Sequence, residues 1–284
     1  MNSESRGVVF SLVGMFLYGI EPVVINSNPS NPIAFAALSA SLAAIILWII
    51  GGSSTVNDVT SKPEFLRYGV VIGLFGTALA YLSYSFGARM STAINAALIT
   101  RSEILWSFLL SWAFLKERIR KPHFAYGALL VFGLGLVITQ GKALVPHLGD
   151  VLLLLVPLFW QIAHVIAKKI PYRPITIATL RNTFGAIFLL PFALITGFQF
   201  SYYAILEGLI IAFGQILWYK SIKLINLSKA TLIITPAPAI AIAVGLFLGQ
   251  PFTVYHAIGF VLITIATIGA SRLASEVRIE GRHL

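Results

Sequence analysis

The chain has 284 residues, of which 58% are hydrophobic and only 11% charged, with a formal net charge of +10 and no cysteine. A soluble domain carries about 25% charged residues, so most of this length belongs in hydrocarbon and no stretch remains for a soluble catalytic domain. Without cysteine, disulfides, thiol chemistry and cysteine-bound metals are excluded.

Each bilayer crossing takes roughly 20 apolar residues. The hydropathy pattern predicts ten spans, at 7–27, 32–51, 67–87, 91–114, 122–140, 149–168, 174–197, 202–223, 229–249 and 253–272. Span 1 reads as a crossing rather than a cleaved leader, since no small-residue cleavage site follows it. It carries Tyr18 near its middle, then Glu21 followed by Pro22. Proline removes a backbone donor and crowds the preceding turn, so a bend is expected beside that carboxylate. A gate or coupling site and a simple shape-fitting bend both fit. The turn formers NSNPSNP lead into span 2, and Gly51 to Ser54 are expected to end it. Span 3 sets Gly69, Gly73, Gly76 and Ala80 near one face, the signature of close helix packing in lipid.

Span 4 is the most informative. Thr92, Ala96, Thr100, Glu103, Ser107 and Ser111 recur at steps of four and three, which puts them on one helical face. The stripe is small and polar, with Trp106 close by. A water-filled cavity and a packing face both suit it. Arg101 lies two residues from Glu103, about 200° around an ideal helix, so no direct pair between them is expected. Its partner is then Glu21, Glu207 or a substrate carboxylate, which arginine grips with two parallel hydrogen bonds. Together, Arg101 and Glu103 suit the two ends of an amino-acid zwitterion. Span 6 carries Trp160 and His164, the latter read as a satisfied interfacial histidine ahead of a proton shuttle. Arg181 in span 7 is expected to snorkel to the nearer surface, and Glu207 in span 8 to reach water. In span 9, Thr235, Pro236 and Pro238 form TPAP, a break that frees carbonyls at mid-depth. The charged end SEVRIEGRHL reads as a frayed tail.

With the N-terminus inside, Lys and Arg of the connecting segments fall on the cytoplasmic side except Arg89 and Lys142. That asymmetry predicts both termini in the cytoplasm, the cytoplasmic membrane as location and the lipid bilayer as partner; it argues against nucleic acid. The chain also repeats itself. Tyr81–Glu117 aligns with 214–250, so that Ala97 meets Ala230 and Glu117 meets Gln250. The opening helices align as well, Tyr18 with Trp160. Five spans per copy force the copies into opposite orientations, with a binding site between them near mid-membrane. The fold expected is therefore all-α, ten transmembrane helices as two inverted five-helix repeats, 1–142 and 143–284.

The aromatic of each opening helix (Tyr18, Trp160), the fourth-helix segments INAALITRSEILWSFLLSWAFLKERI and SKATLIITPAPAIAIAVGLFLGQPF, and the glycine-bearing fifth helices resemble the drug/metabolite transporter superfamily, in particular ten-span permeases with two EamA domains. The resemblance covers essentially the whole chain. It implies a carrier of amino acids or other small metabolites, with the first, third and fourth helices of each half lining a cavity. The family proline of the fourth helix is present as Pro236 but replaced by Glu103 in the first half, and the acidic residue ending that helix is present as Glu117 but replaced by Gln250.

The leading expectation is a secondary transporter for a small polar or amphipathic metabolite, working by alternating access, in the export direction, with proton coupling open. Its candidate substrate-binding residues are Tyr18, Glu21, Thr100, Arg101, Glu103, Trp106, Trp160, Thr235 and Pro236; Glu103 and Glu21 are the candidates for a coupling proton. No metal or cofactor is called for. An uncoupled facilitator and an intramembrane enzyme acting on a lipid-linked substrate are the alternatives. The chain lacks GxxxxGK[ST], HExxH and GxSxG patterns. Oligomeric state, monomer included, is left open.

Overall fold

The computed structural model describes residues 2–249 and 251–274. Gln250 and the tail from 275 onward lie outside the described residues. Among the described residues, ten helices are long and apolar enough to cross a membrane: α1 (Ser3–Ser27), α2 (Pro32–Ser61), α3 (Pro63–Arg89), α4 (Asn95–Leu115), α5 (Lys121–Thr139), α6 (Gly149–Lys169), α7 (Pro174–Thr196), α8 (Tyr203–Leu224), α9 (Leu227–Phe247) and α10 (Val254–Ser271). The helices satisfy their backbone groups internally, as hydrocarbon demands. Short polar residues start several of them. Asn2 accepts from Ser5 N at 2.7 Å, Asn31 from Ile33 N at 2.9 Å with Pro32 at the first position, and Thr92 from Asn95 N at 3.1 Å.

Helix pairing has an internal symmetry. α2 packs on α7, α5 on α10 and the inner part of α4 on α9, so each of these pairs joins matching helices of the two halves. The pairing of α1 with α8 is answered by that of α6 with α3. The halves run through the bundle in opposite senses. The start of α1 meets the end of α8, where Gly7 lies against Leu224 and Ile225, while the start of α6 meets the end of α3, where Gly149 lies against Gly87. The face on which α1 begins is called here the N-face, and the opposite one the far face.

Three helices depart from expectation or from regularity. α2 does not end at Gly51 but runs to Ser61. Gly51 is a point of close approach instead: a side chain there would collide with Ile175 of α7. The extension is held by Asp58, which accepts from Arg173 Nε (3.0 Å), Arg173 N (2.9 Å) and Thr176 Oγ1 (2.6 Å). At about 1.5 Å per residue the helix outruns the ~30 Å hydrocarbon core. α3 contains a π-helical segment, Leu74–Leu79, and α4 tightens to a 3-10 turn at Thr100–Ser102. α9 is interrupted at Thr235–Pro236. On the repeat alignment the last two interruptions fall at matching depth. The main core, with Leu47, Ile72, Ala163, Leu180, Tyr219 and Ile222 fully or almost fully buried, gathers α2, α3, α6, α7 and α8.

Candidate functional site

The interruptions of α4 and α9 meet. Thr100 Oγ1 donates back to the Ala96 carbonyl at 2.9 Å, a competition with the helix ladder that bends helices. The turn that follows winds at roughly 3.0 residues per turn rather than 3.6. That brings positions two apart closer in direction, and Arg101 Nη1 reaches Glu103 Oε1 at 3.2 Å. The expectation of no direct pair between them is thereby corrected: it assumed an ideal α-helix. Across the gap, Thr235 Oγ1 donates to the same Glu103 oxygen at 3.0 Å, and Arg101 Nη1 lies 3.5 Å from the Thr235 carbonyl. Arg101 Nη2 donates to Thr100 Oγ1 at 3.1 Å, while its Nε is buried without a partner. Glu103 and Thr235 are buried, at 8% and 0% exposure, and the Arg101 side chain is 14% exposed. Pro236, with no N–H to give, opens the second segment of α9.

Other charged groups converge nearby. Glu21 of α1 faces Arg101, Arg181 and Glu207, with Tyr18, Tyr81 and Tyr84 alongside. Arg181 does not snorkel. It is buried and donates to the Gly76 carbonyl, to Thr77 Oγ1 (3.2 Å) and to Tyr219 Oη (3.1 Å), with His164 Nε2 at 3.4 Å. Gly76 and Thr77 lie in the π segment, whose loosened ladder frees a carbonyl for such use. Gly76 also admits the guanidinium: a Cβ there would sit 3.1 Å from Arg181 Nε. His164 is likewise buried rather than interfacial, its ring 4.9 Å from Trp218. Glu207, expected to reach water, is 1% exposed. The bundle therefore closes over all three groups read from sequence as surface-seeking. Trp106 and Trp160 are part-buried on α4 and α6.

The N-face side of this cluster is sealed. Ser107 Oγ donates to Thr231 Oγ1 at 2.9 Å, joining the inner segments of α4 and α9. Glu117, at the end of α4, accepts from Leu227 N (2.7 Å), Ser228 N (3.0 Å) and Ser228 Oγ (2.6 Å) at the start of α9. A carboxylate on the unpaired N–H groups of a helix start is a favourable charge placement. Lys168 Nζ stands 3.7 Å from Glu117 and donates to the Ile222 carbonyl at 2.6 Å, tying α6 to the end of α8. On the far side, residues 240–247 of α9 and the turn at 248–249 are only partly buried or exposed.

The EamA-like transporter family profile matches residues 5–139 and again 147–272, most of the chain. The chain belongs to the EamA-like transporter family. It is similar to the uncharacterized transporter YyaM of Bacillus subtilis (strain 168), 27% identical over 86% of this chain and 85% of that one. It is also similar to uncharacterized transporters of Methanothermobacter thermautotrophicus (24%, covering 67% and 62%) and Archaeoglobus fulgidus (26%, covering 60% and 59%). A solved structure described as "Crystal structure of protein" superposes with a TM-score of 0.80 at 15% identity, covering 94% of this chain and 96% of that one, which bears on fold alone.

This EamA-like protein is thus a multi-pass membrane transporter rather than an enzyme. Of its sequence-predicted site residues, Thr100, Arg101, Glu103 and Thr235 meet directly, with Pro236 adjoining; Tyr18 and Glu21 stand in the adjacent charged cluster. Sequence reasoning missed Tyr81, Tyr84, Arg181 and Tyr219 as members. For Tyr81 and Tyr84 the three-residue spacing, which places both on one helical face, was the available signal.

Proposed function

We propose that this transporter carries a small zwitterionic or otherwise polar metabolite, amino-acid-like in its charges, outward across the cytoplasmic membrane by alternating access. The carrying observation is the meeting of two helix interruptions around Arg101, Glu103 and Thr235. The unpartnered Arg101 Nε offers a donor to a substrate carboxylate, and Glu103 offers an acceptor to an ammonium group. Binding would trade the internal Arg101–Glu103 pair for two pairs with substrate. The N-face is the cytoplasmic side in this reading, supported by the Lys and Arg bias of the connections, and the division of labour falls between halves 1–142 and 143–284. The bonds of Glu117, Ser107 and Lys168 then close the cytoplasmic gate, and the partly exposed outer segment of α9 fits an arrangement open to the outside.

The test is counterflow in proteoliposomes against a panel of labelled amino acids and related metabolites. Flux of a substrate bearing a carboxylate is expected, falling at least tenfold in Arg101→Ala and only partly recovered in Arg101→Lys, which keeps charge but not the planar fork. Equal flux in Arg101→Ala would reject the site.

A further inference from the structure

Glu207 is the carboxylate that the site described above does not use. It sits about 6 Å into α8 from the far face at ~1.5 Å per residue, yet it is 1% exposed and neither of its oxygens meets an N–H or hydroxyl donor. A buried carboxylate left without a donor carries a large desolvation cost. What faces it is the Glu21 carboxyl of α1, within hydrogen-bonding reach. Two carboxyls make a hydrogen bond only if one of them carries a proton, and two ionised carboxylates at that distance repel.

The surrounding groups are accounted for. From α1 itself comes Tyr18; from α3, Tyr81 and Tyr84; from α4, Arg101; from α7, Arg181; from α8, Tyr219. Arg101 is engaged by Glu103, and Arg181 bonds neutral partners on α3, α6 and α8. The central cluster so holds three carboxyls, Glu21, Glu103 and Glu207, against the two guanidiniums Arg101 and Arg181. One carboxyl has no cation of its own, and one proton balances the set.

We propose that Glu21 and Glu207 form a carboxyl pair that holds a single shared proton and is the proton-exchange site of this carrier. The assignment rests on the alternating-access reading above. Glu21, the less buried member, is the point of entry for a proton from water on the far side, and Glu207 is the buried member that shares it. In the step, an O–H bond forms on the pair as a hydronium ion gives up its proton; it breaks again when the pair is exposed to the N-face and water takes the proton. α1 and α8 belong to different halves, so a rocking of the halves acts directly on the pair. Glu103, held by Arg101 and Thr235, is left as the substrate's counter-charge rather than the proton carrier.

Infrared difference spectroscopy of the full-length protein in lipid bilayers, across a pH titration in H2O and D2O, reads the pair without any substrate. A protonated-carboxyl C=O band that shifts in D2O is expected in the parent chain. It should vanish in Glu207→Gln, where the amide supplies Glu21 with a donor, and persist in Glu103→Gln, which also serves as the folded control. Absence of the band from the parent chain, or its survival unchanged in Glu207→Gln, overturns the proposal. Counterflow gives the independent arm: with any substrate found by the panel, Glu207→Gln should keep exchange but lose acceleration by a pH gradient. Retained gradient dependence would also overturn it, whereas a silent panel with the band present would count against the substrate class alone.

Discussion

Replacing Glu117 by glutamine should loosen the N-face closure. The carboxylate accepts three hydrogen bonds from the start of α9, at 2.6–3.0 Å, with Lys168 at 3.7 Å. Hydrogen bonds to a charged group contribute about 1.5–3 kcal/mol each. Glutamine keeps one accepting oxygen, turns the other into a donor aimed at other donors, and removes the charge beside the helix start. Water entering the opened gap offsets part of the loss. A net weakening of about 2 kcal/mol follows, which at about 1.4 kcal/mol per tenfold is roughly a 30-fold rise in the population open on the N-face. The absence of native cysteine makes the assay clean. Ser111, on the inner segment of α4, is fully buried, and its hydroxyl donates to the Phe108 carbonyl of its own helix at 3.4 Å, so Ser111→Cys is a mild probe. In inside-out vesicles, a membrane-impermeant maleimide should label Ser111→Cys slowly, and the Glu117→Gln/Ser111→Cys double variant at least tenfold faster. Rates within twofold of each other would refute the latch. Labelling only in right-side-out vesicles would refute the assignment of the N-face to the cytoplasm.

Arg181→Met should cost about 3 kcal/mol, because it leaves the buried Gly76 carbonyl and Thr77 hydroxyl without their donor and removes one of the two cations beside Glu21; thermal unfolding in detergent with lipid would show it, and an unchanged melting temperature would contradict the buried placement. Gly73→Ala should destabilise by about 1–3 kcal/mol through overpacking, since the new Cβ would lie 2.6 Å from Phe184 Cβ and 2.9 Å from Gly185 N. Gly135→Ala is the paired control, with open space at that position and a gain of up to about 1 kcal/mol from helix propensity. Asp58→Asn should lose about 0.5–1 kcal/mol or less, and the loss should shrink with added salt because Arg173 is half exposed.

Much of the architecture is written in hydropathy and repetition. Ten crossings and two related halves follow from where apolar runs begin and stop, and Glu103 stands out because a mid-span carboxylate on a small polar stripe needs a reason. Other features depend on winding that composition does not disclose. An ideal α4 hides the partner of Arg101, for a single threonine hydroxyl and a short 3-10 turn change which residues face one another. Gly51 misleads in a related way. Glycine stops a helix or lets two helices touch, and only the neighbour Ile175 decides which. Depth along their own helices points Arg181, His164 and Glu207 toward surfaces, whereas their burial is set by the helices around them.

The π segment of α3 gives the helix two aims. Before it, Gly69 and Gly73 press on α7; after it, Tyr81 and Tyr84 turn to the charged centre. One residue beyond the regular α count swings everything downstream by roughly 100°. Deleting a single residue from Leu74–Leu79 would leave a straighter helix of ordinary hydropathy, yet both tyrosines would swing away from Glu21 and the carbonyl that Arg181 holds would return to the helix ladder. A span can thus keep its membrane-crossing character intact while losing its chemistry, and chain length at this point constrains function as tightly as residue identity does.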